Sequence, residues 1–245
     1  MIRYLILFFV GLTSFVYAQE DKSLLFGLQI KPIIPNNYFN AGSISQSFYS
    51  NDSVQYNFEL KPRVSQSIGM IIRKNLSKTI SYETGMNLIQ RKYKLLVESN
   101  ELSDYTNFSV RSYEVPIQIL AFVKASQKVY LNGSFGVSYN VFSSDAYSEG
   151  ETNSFFYQNT SRRRRGQSAF IANLGAEYRT KEKGYFYLGF SLHRPLKSIV
   201  RVFPEYNDGK SKFNITAPSS NSYYIEQNGN FITFDFRYFF QRSNN

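Results

Sequence analysis

Ser191 and His193 stand two residues apart in the segment YFYLGFSLH (185–193), a placement that invites a hydrolytic reading. Nucleophilic catalysis needs the hydroxyl and the imidazole within hydrogen-bond reach, with a third group to orient the base. In a strand, side chains at i and i+2 share a face but are separated by about 7 Å on rise alone. No acid lies close by in the sequence, so a hydrolase is the lesser reading. His193 is the only histidine and cysteine is absent. Those two counts exclude a multi-histidine zinc site, a thiolate metal site, a cysteine nucleophile and a disulfide framework. No Gly-rich phosphate loop or calcium loop appears, so no cofactor is expected.

A second set of ionisable residues recurs on the polar side of alternating segments: Lys31, Arg63, Glu83, Glu114, Glu177, Asp235 and Arg237. If that side is enclosed, ions of both signs must pair or draw in water, because unpaired burial is costly. Lys31 is then expected to reach Asp235 when the first and last segments are neighbours. Arg63 and Glu114 fall at similar inferred heights. General acid–base work would need two carboxylates at a defined separation, which this spacing does not supply. A third feature is the run Arg162-Arg163-Arg164-Arg165. It suits phosphates of lipopolysaccharide or an acidic partner through charge-assisted bonds, or equally a solvated loop edge.

The elements that carry these residues read as strands. Polar and apolar residues alternate in Leu24–Ile33, Phe58–Arg73, Lys78–Tyr93, Ser109–Val123, Val129–Val141, Ala169–Arg179, Tyr185–His193 and Phe231–Phe240. Successive residues switch face, which is the period of a strand and not of a helix. Each segment is long enough to cross a bilayer at a tilt.

Residues 1–18, MIRYLILFFVGLTSFVYA, join one positive charge to an apolar run and a Val-Tyr-Ala end. They read as a secretory signal peptide cleaved between Ala18 and Gln19, leaving 19–245 as one domain. No later window is apolar enough for a membrane helix, so a bilayer could hold the exported chain only as a barrel. Export also makes nucleic acid a poor partner despite the net charge of +10.

Connections sort by length. Residues 74–77, 124–127 and 181–183 are tight turns, flanked by Lys74, Lys78, Lys124, Lys128, Lys181 and Lys183. The intervening connections, 34–57, 94–108, 143–165 and 194–229, are long and polar. Short periplasmic turns and long external loops characterise an exported up-and-down barrel. A soluble calyx would instead put its apolar face inside. Tyr178, Phe186, Tyr238 and Phe240 near one end, with Tyr113, Tyr139 and Phe170 near the other, match two interfacial aromatic belts. Gly27, Gly69, Gly85, Gly136, Gly175 and Gly189 lie on the polar face, where a narrow interior has no room for long side chains in every layer. Pro62 and Pro116 sit inside expected strands and call for local bulges or interruptions.

Several segments resemble the Bacteroidota outer-membrane β-barrel family grouped with PorT-type proteins. They are FGLQIKPIIP (26–35), RKNLSKTISYETGMNLIQRKY (73–93), SYEVPIQILAF (112–122), VYLNGSFGVSYNVF (129–142), GYFYLGFSLHRP (184–195) and FITFDFRYFF (231–240). The aromatic–Glu–aliphatic–Pro step is Tyr113-Glu114-Val115-Pro116 here, and Phe240 matches the terminal aromatic, although QRSNN follows it. The resemblance implies an outer-membrane address and, as in some members, a link to type IX secretion.

The expectation is therefore an all-β, transmembrane, up-and-down antiparallel β-barrel of eight strands, non-enzymatic, acting through its external loops as an envelope structural or assembly protein. Residues 196–226 leave room for a further hairpin, which would make ten strands. Its expected partners are outer-membrane lipids, including lipopolysaccharide, and other envelope proteins. The main alternative is a narrow pore for small solutes, followed by a barrel-embedded hydrolase.

Overall fold

The computed structural model describes residues 24–38, 41–49, 55–100, 102–143, 145–180, 183–207, 212–213 and 224–240. The expected signal peptide and its cleavage point lie outside these residues, as does Lys181.

The eight alternating segments form eight long strands: β1 (Leu24–Ile34), β3 (Gln55–Asn75), β4 (Ile80–Glu98), β5 (Ser103–Lys124), β6 (Val129–Phe142), β9 (Gly166–Arg179), β10 (Tyr185–Pro195) and β14 (Phe231–Phe239). With β2 (Ile44–Tyr49) they make a nine-stranded sheet in the order β1-β14-β10-β9-β6-β5-β4-β3-β2. All its pairings are antiparallel. Strand β1 also pairs with β3, from Leu24↔Lys74 to Ile33↔Ser65, so eight strands close into a hydrogen-bonded ring with β2 appended outside it. Closure removes the free edges that an open sheet would expose along this stretch. Short links between β3 and β4, β5 and β6, and β9 and β10 lie at the end where β1 begins and β14 finishes.

Strands β3, β4 and β5 contain 21, 19 and 22 residues, against 9 to 14 for the other ring strands. Their far halves project beyond the ring and carry a second layer. That layer comes from the two last long connections: β7 (Ala146–Glu149), β8 (Phe156–Arg162), β11 (Val200–Asn207), β12 (Lys212–Phe213) and β13 (Ile225–Gln227). Four of these run in the order β12-β11-β8-β7, and β13 pairs with β11. The further hairpin sought within 196–226 thus exists as strand segments, but they join the second sheet and not the ring. An apolar core fills the space between the layers, led by Phe58, Leu60, Leu95, Val97, Phe156 and Val202.

The direction in which apolar side chains point reverses along the strands. On the projecting half of β5, Phe108 and Val110 are buried while Asn107, Ser109 and Arg111 face out. From residue 112 onward the buried positions are Ser112, Glu114, Pro116 and Gln118, then Leu120 and Phe122 near the short turn, and the outward ones include Tyr113, Val115, Ile117 and Ile119. The same outward apolar band continues through Leu131 and Phe135 on β6, Leu174 on β9, Leu188 and Phe190 on β10, and Phe26, Leu28 and Ile30 on β1. A contiguous exposed apolar surface of that extent is uncommon on a water-soluble monomer.

Both awkward prolines sit where the ladder makes no demand on them. Pro62 falls between the stretch of β3 paired to β2, which ends at Leu60, and the stretch paired to β1, which starts at Ser65. A bulge follows it between Arg63 and Gln66. Opposite Pro116 the β4–β5 ladder is interrupted between Thr84↔Ile117 and Asn87↔Glu114, and Thr84 Oγ1 donates to the Pro116 carbonyl at 2.9 Å.

The paired glycines Gly175 and Gly189 make room for one aromatic ring. A Cβ on either would lie 2.3 or 2.1 Å from the Tyr187 hydroxyl oxygen. Gly189→Ala is expected to cost about 1–3 kcal/mol through overpacking. Combining it with Tyr187→Leu should recover part of that loss in denaturant midpoints, whereas a fully additive loss would show that the ring is not what the glycines accommodate.

Candidate functional site

The ring interior is a layered plug. Leu25, Ile71 and Phe239 form an apolar floor near the short turns, and Ile33, Ile89 and Phe231 form a lid near the projecting end. Between them lies a charged network built from side chains on seven strands.

Glu83 of β4 is its centre. Arg73 Nε donates to Glu83 Oε1 at 2.7 Å, Arg237 Nη1 to Glu83 Oε2 at 2.9 Å, and Gln118 Nε2 to Glu83 Oε2 at 2.7 Å. Arg73 Nη1 crosses the ring to Glu177 Oε2, whose other oxygen accepts from Arg179 Nε at 2.6 Å. Arg237 Nη2 donates to Asp235 Oδ2 at 2.8 Å, and Lys31 Nζ lies 3.5 Å from the same oxygen. Ser191, Thr233 and Asn173 also donate to Asp235. Higher up, Glu114 accepts from Asn87 Nδ2 at 2.8 Å and sits 3.0 Å from His193 Nε2. Aromatic rings cover the cations: Phe239 lies 4.0 Å from the Arg73 guanidinium carbon and Tyr187 4.5 Å from that of Arg237.

Four cations, Lys31, Arg73, Arg179 and Arg237, thus meet three carboxylates, Glu83, Glu177 and Asp235, while Glu114 is met by His193 and Asn87. Buried pairs of this kind specify one arrangement more than they add stability, because desolvation offsets much of the attraction.

The structure brings six of the seven expected interior charges inside the ring and places Lys31 against Asp235. Arg63 is the correction. It is exposed, and its Nη1 donates to Asn107 Oδ1 at 2.8 Å, far from Glu114. The bulge after it changes which parity of β3 faces inward: Tyr56, Phe58 and Leu60 above, but Ser65, Ser67 and Arg73 below. Three interior cations, Arg73, Arg91 and Arg179, are not among the expected charges. Strict parity points to each of them: to Arg73 from Gly69 along β3, to Arg91 from Glu83 along β4 and to Arg179 from Glu177 along β9.

Ser191 and His193 are each committed elsewhere. The Ser191 hydroxyl donates to Asp235, and the His193 ring meets Glu114 and stacks on Phe231 at 4.4 Å between centroids. No hydrogen bond between them occurs among the described residues. Nor does any group of three His, Cys, Asp or Glu able to hold a metal. A cavity of about 30 Å³ beside Lys31, Glu114 and His193 suits one or two waters.

The arginine run divides. Arg162 ends β8, where its Nη1 donates to the Ser143 carbonyl at 2.9 Å, and Arg163 Nη1 donates to Ser198 Oγ at 2.6 Å. Arg164 and Arg165 are exposed. On the outer face of the second sheet, the hydrogen bond to Glu205 pushes the Tyr157 hydroxyl up to about 12, so it stays neutral at physiological pH. No protein-family model and no curated protein matches the chain.

Proposed function

We propose that this chain is an integral outer-membrane β-barrel, non-enzymatic, that holds a folded two-layered cap outside the cell as an envelope structural or assembly surface. The observation that carries the reading is the reversal along β3, β4 and β5: apolar-out and polar-in around the ring, polar-out and apolar-in beyond it. One chain needs both patterns only if its two sections meet different solvents. The resemblance to PorT-type barrels agrees with this address and makes type IX secretion the process in which to seek partners. Those partners would meet the cap, while outer-membrane lipids, lipopolysaccharide among them, surround the ring.

The reading is tested by expressing the full chain with its own leader in a Gram-negative host. It should sediment with outer membranes, resist alkaline extraction and migrate differently in gels before and after boiling. Recovery in the soluble periplasm would overturn it. Pull-downs with the cap connections 143–165 and 194–229 intact and then deleted locate the interaction, and loss of partners on deletion is expected.

The layered interior also favours a closed ring over the narrow-pore alternative. Purified protein in planar bilayers should give no single-channel steps, and stable steps would contradict the plug.

A further inference from the structure

Arg91 on β4 takes no part in the ion pairs of the ring interior. Its side chain is 3% exposed, and Nη1 donates to Ser112 Oγ at 2.9 Å. Nε and Nη2 have no acceptor. The rings of Phe231 and Phe142 lie 5.0 and 5.8 Å from its guanidinium carbon, which favours a cation but accepts no hydrogen bond in the guanidinium plane. The Glu114 carboxylate is engaged by His193 and Asn87, and no carboxylate forms an ion pair with Arg91 among the described residues. A guanidinium cannot shed its charge at any ordinary pH, so two buried nitrogens whose N–H groups lack acceptors are costly.

These donors line a pocket at the projecting end of the ring, where the end of β1, the bulge of β3 and the start of β14 leave a gap. Arg63 and Lys92, both exposed, stand at its rim, and no Asp or Glu is among its lining residues. Three cations thus face one opening whose lining holds no carboxylate. The enclosed volume is about 20 Å³, room for an oxygen atom of an anion and not for a whole organic molecule. Ile34 and Val64, both exposed, mark the upper edge of the apolar band at this point.

We infer that this pocket binds a phosphate group, whose oxygen enters to meet Arg91 while Arg63 and Lys92 hold the charge outside. Adjacent guanidinium N–H groups can converge on one oxygen of a tetrahedral anion through charge-assisted bonds. The phosphate belongs either to free inorganic phosphate or to the headgroup of a phosphorylated glycolipid. Only the lipid source rests on the outer-membrane reading, which would bring headgroups to this height. The phosphate contact is thereby placed on Arg91 and its rim, and not on Arg162 to Arg165.

Full-length protein in phosphate-free nonionic detergent is titrated calorimetrically with inorganic phosphate. In parallel it is reconstituted with phosphorylated or dephosphorylated glycolipid and examined by native mass spectrometry. Saturable phosphate binding is expected, weakened about tenfold or more in Arg91→Gln. The double variant Arg63→Ser/Lys92→Ser alters only exposed side chains and should weaken binding about threefold. It decides the matter if Arg91→Gln fails to fold, as judged by gel mobility before and after boiling. Selective retention of the phosphorylated glycolipid assigns the site to the lipid, and calorimetric binding without that selectivity assigns it to the free anion. Absence of saturable binding in both arms, or equal binding by wild type and the rim variant, overturns the inference. A chain that proves soluble yet binds phosphate would refute the membrane reading and leave this one standing.

Discussion

Glu83→Gln is expected to lower the stability of the folded chain by about 3–5 kcal/mol, the usual cost of breaking a buried ion pair from one side. Glu83 is 1% exposed and receives Arg73, Arg237 and Gln118 at once. The amide keeps the shape but removes the charge and substitutes a donor for one acceptor. Two guanidinium groups, from the two strands that flank β1, would then face each other with one fewer carboxylate between them. Asp235 and Glu177 remain to hold Arg237 and Arg73, which is why the loss should not be larger. The comparison is Glu59→Gln, which breaks the 2.8 Å Lys61–Glu59 pair at a site more than a third exposed and should cost less than about 1 kcal/mol. Urea midpoints of protein refolded into micelles measure both, and equal losses would show that the interior pairs are as well solvated as surface ones.

Leu174→Arg is expected to cost about 2–4 kcal/mol if its side chain meets lipid near the middle of the band. Leu174 is 71% exposed, halfway along β9 and opposite Phe190 and Gly133. At an equally open position in water the same change should stay within about 0.5 kcal/mol, since it breaks no contact of note. Ser103→Arg, at an exposed position of projecting β5 opposite Glu98, supplies that aqueous comparison and should be nearly neutral. Vesicle-based unfolding reads both, and a neutral Leu174→Arg would place the apolar band in water.

Much of this was legible in the chain because a strand writes its two faces into alternate residues. The eight ring strands, their closure by β1 and β14, and the meeting of Lys31 with Asp235 all follow from that period. Three things did not follow. Pro62 calls for a local bulge, but nothing in the local composition says that the inward parity changes there. Arg73 and Glu177 are 104 positions apart and meet across the ring, not along a ladder. The second sheet is made of strands of 2 to 8 residues, too short to show a period, and they are held by an apolar core drawn from β3, β4 and β5. The lesson of β5 is more general. Its inward face is even-numbered throughout, yet apolar Phe108 and Val110 give way on that face to Ser112 and Glu114, so period gives the strand and only composition gives the solvent.

Because the chain has no cysteine, each introduced cysteine is its only thiol. Single variants Leu174→Cys on the band, Tyr147→Cys on the cap and Ser77→Cys in a short turn can therefore be treated with a membrane-impermeant maleimide in intact cells, in opened envelopes and in detergent. Tyr147→Cys should label in intact cells, Ser77→Cys only after the envelope is opened, and Leu174→Cys only after detergent removes the lipid. Rapid labelling of Leu174→Cys in intact cells or in opened envelopes before detergent would contradict a lipid-facing ring.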